Sequence, residues 1–216
     1  MASPLSPIPP DARLRRFAQL AVGLVLYGVS ASMLVLAALG LDPWDVLHQG
    51  LSRQLGLGIG TWAVILSFVV LALWWPLHQR AGVGTIGNAL VVGLVMNVVL
   101  GAFDTPHALG SRVALLLGGV VLNGIATGMY IGAGMGPGPR DGLTTGLAAR
   151  GHSIRVVRTG IEVTVLIAGF ALGGTVGIGT LLYALAIGPI SHITIPALTV
   201  RSRAATPIQS SRAAST

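Results

Sequence analysis

The chemistry open to this chain rests on a few polar residues set among long apolar runs. Arg155, Arg158 and Glu162 stand at i, i+3 and i+7, so a helix there carries all three on one face. Glu162 is the chain's one glutamate. A carboxylate at membrane depth is costly and turns toward a cavity or a partner. The same spacing also makes an ordinary Arg158–Glu162 helical pair of little consequence. Asp45 and Asp141 each follow a proline by two residues. That puts them in a first helical turn, where a carboxylate meets the positive end of the helix dipole. They act there as helix-start residues or as part of a binding site. Asn97 and His192 stand 95 positions apart at matching places, as do Asn88 and Tyr183. Such pairs serve a site on a symmetry axis, or simple hydrogen bonds between helices. The substrate-binding candidates are therefore Glu162, Arg158, Asp45, Asp141, Asn97 and His192.

Much other chemistry is excluded. The chain has no cysteine, which removes disulfides, thiol catalysis and thiolate metal sites. It has no lysine for a Walker-type phosphate loop, no Gly-x-Ser-x-Gly elbow and no His-Glu-x-x-His helix. Its five histidines show no ligand spacing. Gly82-Val-Gly-Thr-Ile-Gly87 fits the dinucleotide pattern, but a Trp-rich apolar run precedes it where that motif needs a strand. No catalytic residue, cofactor or metal is expected, and the chain does not read as an enzyme.

These residues are positioned by a duplication. Gly40-Leu-Asp-Pro-Trp-Asp-Val-Leu47 and Gly136-Pro-Gly-Pro-Arg-Asp-Gly-Leu143 both spell Gly-x-x-Pro-x-Asp-x-Leu, 96 positions apart. Gly23, Leu26, Gly28 and Met33 match Gly119, Leu122, Gly124 and Met129 at the same offset. Gly82-x-Gly84-Thr85, Ala89 and Gly93 match Gly177-x-Gly179-Thr180, Ala184 and Gly188 at 95.

The 216 residues are 53% hydrophobic and 9% charged, with a mean hydropathy of +0.81, too apolar for a soluble domain. The net charge of +7 comes wholly from arginines scattered beside apolar runs, not gathered into a stripe for nucleic acid. Six runs, 17–41, 61–77, 84–103, 112–135, 156–173 and 177–200, approach the ~20 residues that cross a ~30 Å hydrocarbon core. The basic start before the first run resembles a signal peptide, but that run is long and has a repeat copy, so it is retained. The expected fold is an all-α membrane protein of six transmembrane helices in two inverted three-helix repeats, 13–103 and 110–200. Disordered tails are expected at 1–12 and 201–216. An odd number of crossings turns the second copy upside down and places the two motifs on opposite faces. Each motif then opens a short helix, at 43–55 and 139–150, that lies in the interface or re-enters the membrane. Alternating the runs puts eleven arginines on one side and only Arg53 and Arg112 on the other, so both termini should be cytoplasmic.

The stretches Leu39–Ser52, Gly132–Leu143 and Val157-Arg-Thr-Gly-Ile-Glu162 resemble the bacterial YczE/YyaS/YitT-type membrane proteins. The resemblance implies a multi-pass protein of the bacterial inner membrane and no particular activity. Gly124, Gly128, Gly132 and Gly136 form an i+4 stripe, repeated at Gly169, Gly173 and Gly177, for close helix packing within the chain or in a homodimer. The candidate partners are the lipid bilayer, a second copy of the chain through the glycine stripes, and an unidentified small molecule or ion; no nucleic acid is expected. Two functions fit: a transporter with its site at the repeat interface, or a non-transporting scaffold or accessory of another membrane or biosynthetic system.

Overall fold

A computed structural model describes residues 11–200; the expected tails at 1–12 and 201–216 lie outside these but for Asp11 and Ala12. Among the described residues the chain forms eight helices: α1 (Arg13–Ala37), α2 (Pro43–Leu55), α3 (Ile59–Leu77), α4 (Val83–Ala102), α5 (Leu109–Gly132), α6 (Pro139–Ala148), α7 (Ile154–Ala171) and α8 (Ile178–Leu198). Proline opens both short helices, where its missing N–H costs nothing. Five helices, α1, α3, α4, α5 and α8, are long and apolar enough to cross a membrane. The run expected at 156–173 is helical as α7, but Arg155, Arg158 and Glu162 keep it out of that set.

The centre is α1 against α5. A β-carbon on Gly23 would touch Met129, and one on Gly119 would touch Met33 and Leu34, so the two helices run antiparallel. Their ends are tied reciprocally. Arg16, at the start of α1, donates to the Ala133 carbonyl beyond α5 at 2.8 Å and to that of Val200 at 3.0 Å. Arg112, at the start of α5, donates to the Ala37 and Ala38 carbonyls at the end of α1, at 2.8 and 2.5 Å. Cations there meet the negative helix end and its unpaired carbonyls.

The links after α1 and α5 cross into the other half. Gly84 N–H donates to the Met135 carbonyl, and Gly179 N–H to the Leu39 carbonyl, both at 2.8 Å. Gly40 (φ 115°) and Gly136 (φ 118°) make these turns. A β-carbon on either would also lie 2.7 Å from atoms at the start of the opposite helix, Gly177 for Gly40 and Thr85 for Gly136. The Gly-x-Gly-Thr sequences are therefore docking points for the links. Their Thr85 and Thr180 hydroxyls accept the Gly82 and Gly177 N–H groups at 3.0 and 3.3 Å.

Packing pairs off across the halves: α1 on α4 as α5 on α8, and α2 on α7 as α6 on α3. The glycine stripe of α5 is spent inside the chain, Gly124 against Ile190, Gly128 against Thr194 and Gly132 against the Leu198 carbonyl. One pairing is not reproduced. α3 packs on α4, with a β-carbon on Gly93 falling 2.3 Å from the Gly60 carbonyl oxygen. Its counterpart, α7 on α8, is at most a marginal contact, and nothing lies within 4 Å of a β-carbon on Gly188.

Candidate functional site

The two motifs meet. They were expected on opposite faces, yet Arg140 in α6 stands 3.5 Å from Asp42 at the head of α2, and both first turns line one cavity with Tyr27, midway along α1. The links between long and short helices fold back through Gly40 and Gly136, which carries both motif helices inward. In α2, Pro43, Trp44, Asp45, Val46, His48 and Gly50 are all buried, so it is part of the body rather than a surface helix.

Asp42 caps α2: its Oδ1 accepts the Trp44 and Asp45 N–H groups at 3.0 and 3.2 Å. The position that matches it 96 residues on is Gly138, and α6 has no side-chain cap. Where α2 has Trp44, α6 has Arg140. The Arg140 guanidinium lies 5.0 Å over the Trp44 ring, 3.5 Å from Asp42 and 4.0 Å from Asp45. Among the described residues no hydrogen bond from the Arg140 side chain completes these long contacts. Burial pushes the Asp42 carboxyl up to about 7, with Asp45 adding to the rise and Arg140 opposing it. Burial also lowers His48, to about 3, and Arg140 adds to that effect. His48 is therefore a neutral imidazole, donating from Nδ1 to Asp45 Oδ1 at 2.9 Å.

Two cavities flank Arg140, of about 130 and about 80 Å³. Both are lined by Tyr27, Arg140, Asp141, Arg158 and Tyr183, so the two lobes adjoin between the halves and share these residues as a common wall. Tyr130 donates to Asp141 Oδ2 at 2.7 Å, and Tyr183 donates to Asn123 Oδ1 at 3.0 Å. Asn123 in turn donates to Ser30 at 2.9 Å. Asn88 lines the larger lobe and Glu162 the smaller.

Of the six candidates, Asp141, Arg158 and Glu162 line this space, while Asp45 lines neither lobe and lies buried 4.0 Å from Arg140. Arg158 and Glu162 pair at 2.9 Å with side chains 56% and 39% exposed. Asn97 is elsewhere, donating to Thr61 on α3 at 2.9 Å, and His192 is exposed on α8; neither lines the cavity. The matched pair Asn88 and Tyr183, in contrast, both line it. Sequence reasoning passed over Asp42, His48, Arg140, Tyr27 and Tyr130. The readable signal was substitution inside the duplicated motif, Asp42 to Gly138 and Trp44 to Arg140, and polar Tyr27 facing polar Asn123 at the same offset.

A family profile described as "Family of unknown function (DUF6198)" matches residues 14–196. An uncharacterized protein of Haemophilus influenzae is 39% identical over 180 residues, covering 83% of each chain. The "Uncharacterized membrane protein YczE" of Bacillus subtilis is 34% identical over 181 residues, 81% of this chain and 82% of its own. The "Uncharacterized protein YyaS" of the same organism is 29% identical over 183 residues, 81% of this chain and 90% of its own. No solved structure matches the chain. With five helices suited to crossing a bilayer, these relatives make the chain a membrane protein.

Proposed function

The chain belongs to the DUF6198 family of unknown function, and from that premise we propose that it is a small-molecule transporter of the bacterial inner membrane. Its halves are inverted repeats with six crossings, α7 being the sixth, and both termini are cytoplasmic. Turning Arg158 and Glu162 to the cavity spares α7 the cost of charge in lipid. The antiparallel α1–α5 pair and the exchanged links support the inverted arrangement. The substrate site is the two-lobed cavity, where the first turns of two short helices converge.

The observation that carries this reading is the unequal seam. On one side of the cavity α3 is closed on α4 through Gly60, Gly93 and the Asn97–Thr61 hydrogen bond. On the other, α7 and α8 both line the cavity without packing together. Two copies of one sequence plan in two different states is what alternating access needs: one seam shut while the other stands apart. In the opposite state α8 closes on α7 at Gly188 and α4 parts from α3.

Since the chain has no cysteine, single cysteines test this cleanly. Ser67 on α3 and Ser191 on α8 both line the larger lobe. In sealed vesicles, S67C and S191C should react with a membrane-impermeant maleimide, and from one side at a time. Q54C and L109C should react from outside, and Q79C and A149C only from inside. Cavity cysteines that react from neither side would leave the scaffold reading in place of transport.

A further inference from the structure

We propose that the cavity takes a small zwitterion whose ammonium and carboxylate sit on neighbouring atoms, an α-amino-acid-like ligand. This rests on the reading that the cavity is a substrate site. Some wall groups have hydrogen-bond partners within the protein and others do not. Arg158 is spent on Glu162, Tyr183 on Asn123, and one oxygen of Asp141 on Tyr130. Arg140 is only loosely held: it ion-pairs with Asp42 and Asp45 at 3.5 and 4.0 Å and lies over Trp44, but its guanidinium N–H groups make no hydrogen bond among the described residues. The second Asp141 oxygen, the Tyr27 hydroxyl and the Asn88 amide also lack hydrogen-bond partners there, and all four residues line the larger lobe.

Guanidinium donors without hydrogen bonds and a carboxylate with one oxygen unbonded, on consecutive residues, therefore face one small space. A ligand of one charge satisfies one of them and meets repulsion from the other; a compact zwitterion satisfies both. Backbone geometry adds to the cationic side. Gly138, where α2 has its aspartate cap, leaves the first N–H groups of α6 without a side-chain acceptor, and Gly138 lines the same lobe. Size is a further constraint. A cavity of about 130 Å³ lies below the ~300–1,000 Å³ of pockets for drug-sized ligands, which favours an alanine-sized molecule over a nucleotide.

The test is thermal unfolding of the purified full chain in nanodiscs with L-alanine, L-phenylalanine, acetate or methylammonium as probes at matched concentrations. A ligand of the folded state raises the midpoint. L-alanine should raise it, and the other three should not. Arg140→Gln and Asp141→Asn should each abolish the L-alanine shift. Should either variant fold poorly, Asn88→Ala removes no hydrogen bond among the described residues and should still reduce the shift. An equal shift with acetate would make this an anion site, and an equal shift with methylammonium a cation site. Either result, an L-alanine shift retained in both charge variants, or no shift with any probe overturns the proposal. Transport itself then stands or falls separately, on whether S67C and S191C are reached by the maleimide.

Discussion

Arg140 Nη1 stands 3.5 Å from Asp42 Oδ1, the same oxygen that caps α2, so one contact joins the first turns of the two duplicated motifs. Removing the cation leaves two buried carboxylates, Asp42 and Asp45, facing each other without it. Arg140→Gln should destabilise the protein by about 3 kcal/mol, the low end for breaking a buried ion pair, because these contacts are long. Asp42→Asn keeps the cap and removes one of the charges. The double variant should therefore unfold at a higher temperature than Arg140→Gln alone. Additive losses would show that the two residues are not coupled.

The same aspartate governs a pH response. Its folded-state value near 7 lies above the ordinary 3.8, so the folded protein binds this proton more tightly than the unfolded chain does. Asp42 thus favours folding most below about pH 4, and its contribution falls until about pH 7. His48 acts the other way, costing stability as pH drops from 6.5 toward 3. The informative quantity is the difference between variant and parent. Asp42→Asn should gain stability on the parent as pH rises from about 4 to about 7 and stay level above that. A difference that does not change over this window would sink the assignment.

Glycines on the two seams should behave oppositely. Gly93→Ala drives a β-carbon to 2.3 Å from the Gly60 carbonyl oxygen and should cost about 1–3 kcal/mol through overpacking. Gly188→Ala meets nothing within 4 Å and should leave the unfolding midpoint unchanged or slightly raised. If the α7–α8 seam closes during transport, the same change should slow uptake into proteoliposomes. Full uptake by Gly188→Ala would remove that seam from the cycle.

Arg16 is 4% exposed and spans the ends of α5 and α8, while one arm of Arg112 reaches its carbonyl at an exposed position. Arg16→Ala should cost about 2–3 kcal/mol, since it strips charged donors from buried carbonyls, and Arg112→Ala should cost less. Denaturation in mild detergent ranks the pair, and the reverse order would show that the two ties are not graded by burial.

Glu162 separates ligand handling from stability. Its pair with Arg158 is too exposed to contribute more than about 0.5 kcal/mol, so Glu162→Gln should melt near the parent. Because Glu162 lines the smaller lobe, uptake should nonetheless fall. Unchanged uptake together with an unchanged midpoint would mark the pair as a solvated helical contact.

Some of this was legible along the chain. Apolar runs near bilayer length, the offset of 96, and proline at the head of each short helix are local or periodic signals, and they located the six long helices and both motif helices. Asp45, Asp141, Arg158 and Glu162 could be singled out because charge in an apolar setting demands a reason. Asn97 and His192 were singled out by symmetry, and neither lines the cavity. Matching offsets report equivalent places in two copies, not which side of a helix meets the cavity.

What the sequence by itself determined is an all-helical membrane protein built from a duplicated unit, because hydropathy, length and repetition act through each segment alone. Tertiary structure decided the rest. Arg140 reaches Asp42 only because Gly40 and Gly136, at positive φ, turn both links back into the body. Backbone turns of that kind set where a side chain ends up in space, and residue spacing does not encode them. The unequal seams are further still from the sequence. Gly93 and Gly188 occupy the same place in the repeat, yet one is packed and the other open. Two equivalent segments hold different conformations only as parts of one assembled body, where closing one side constrains the other.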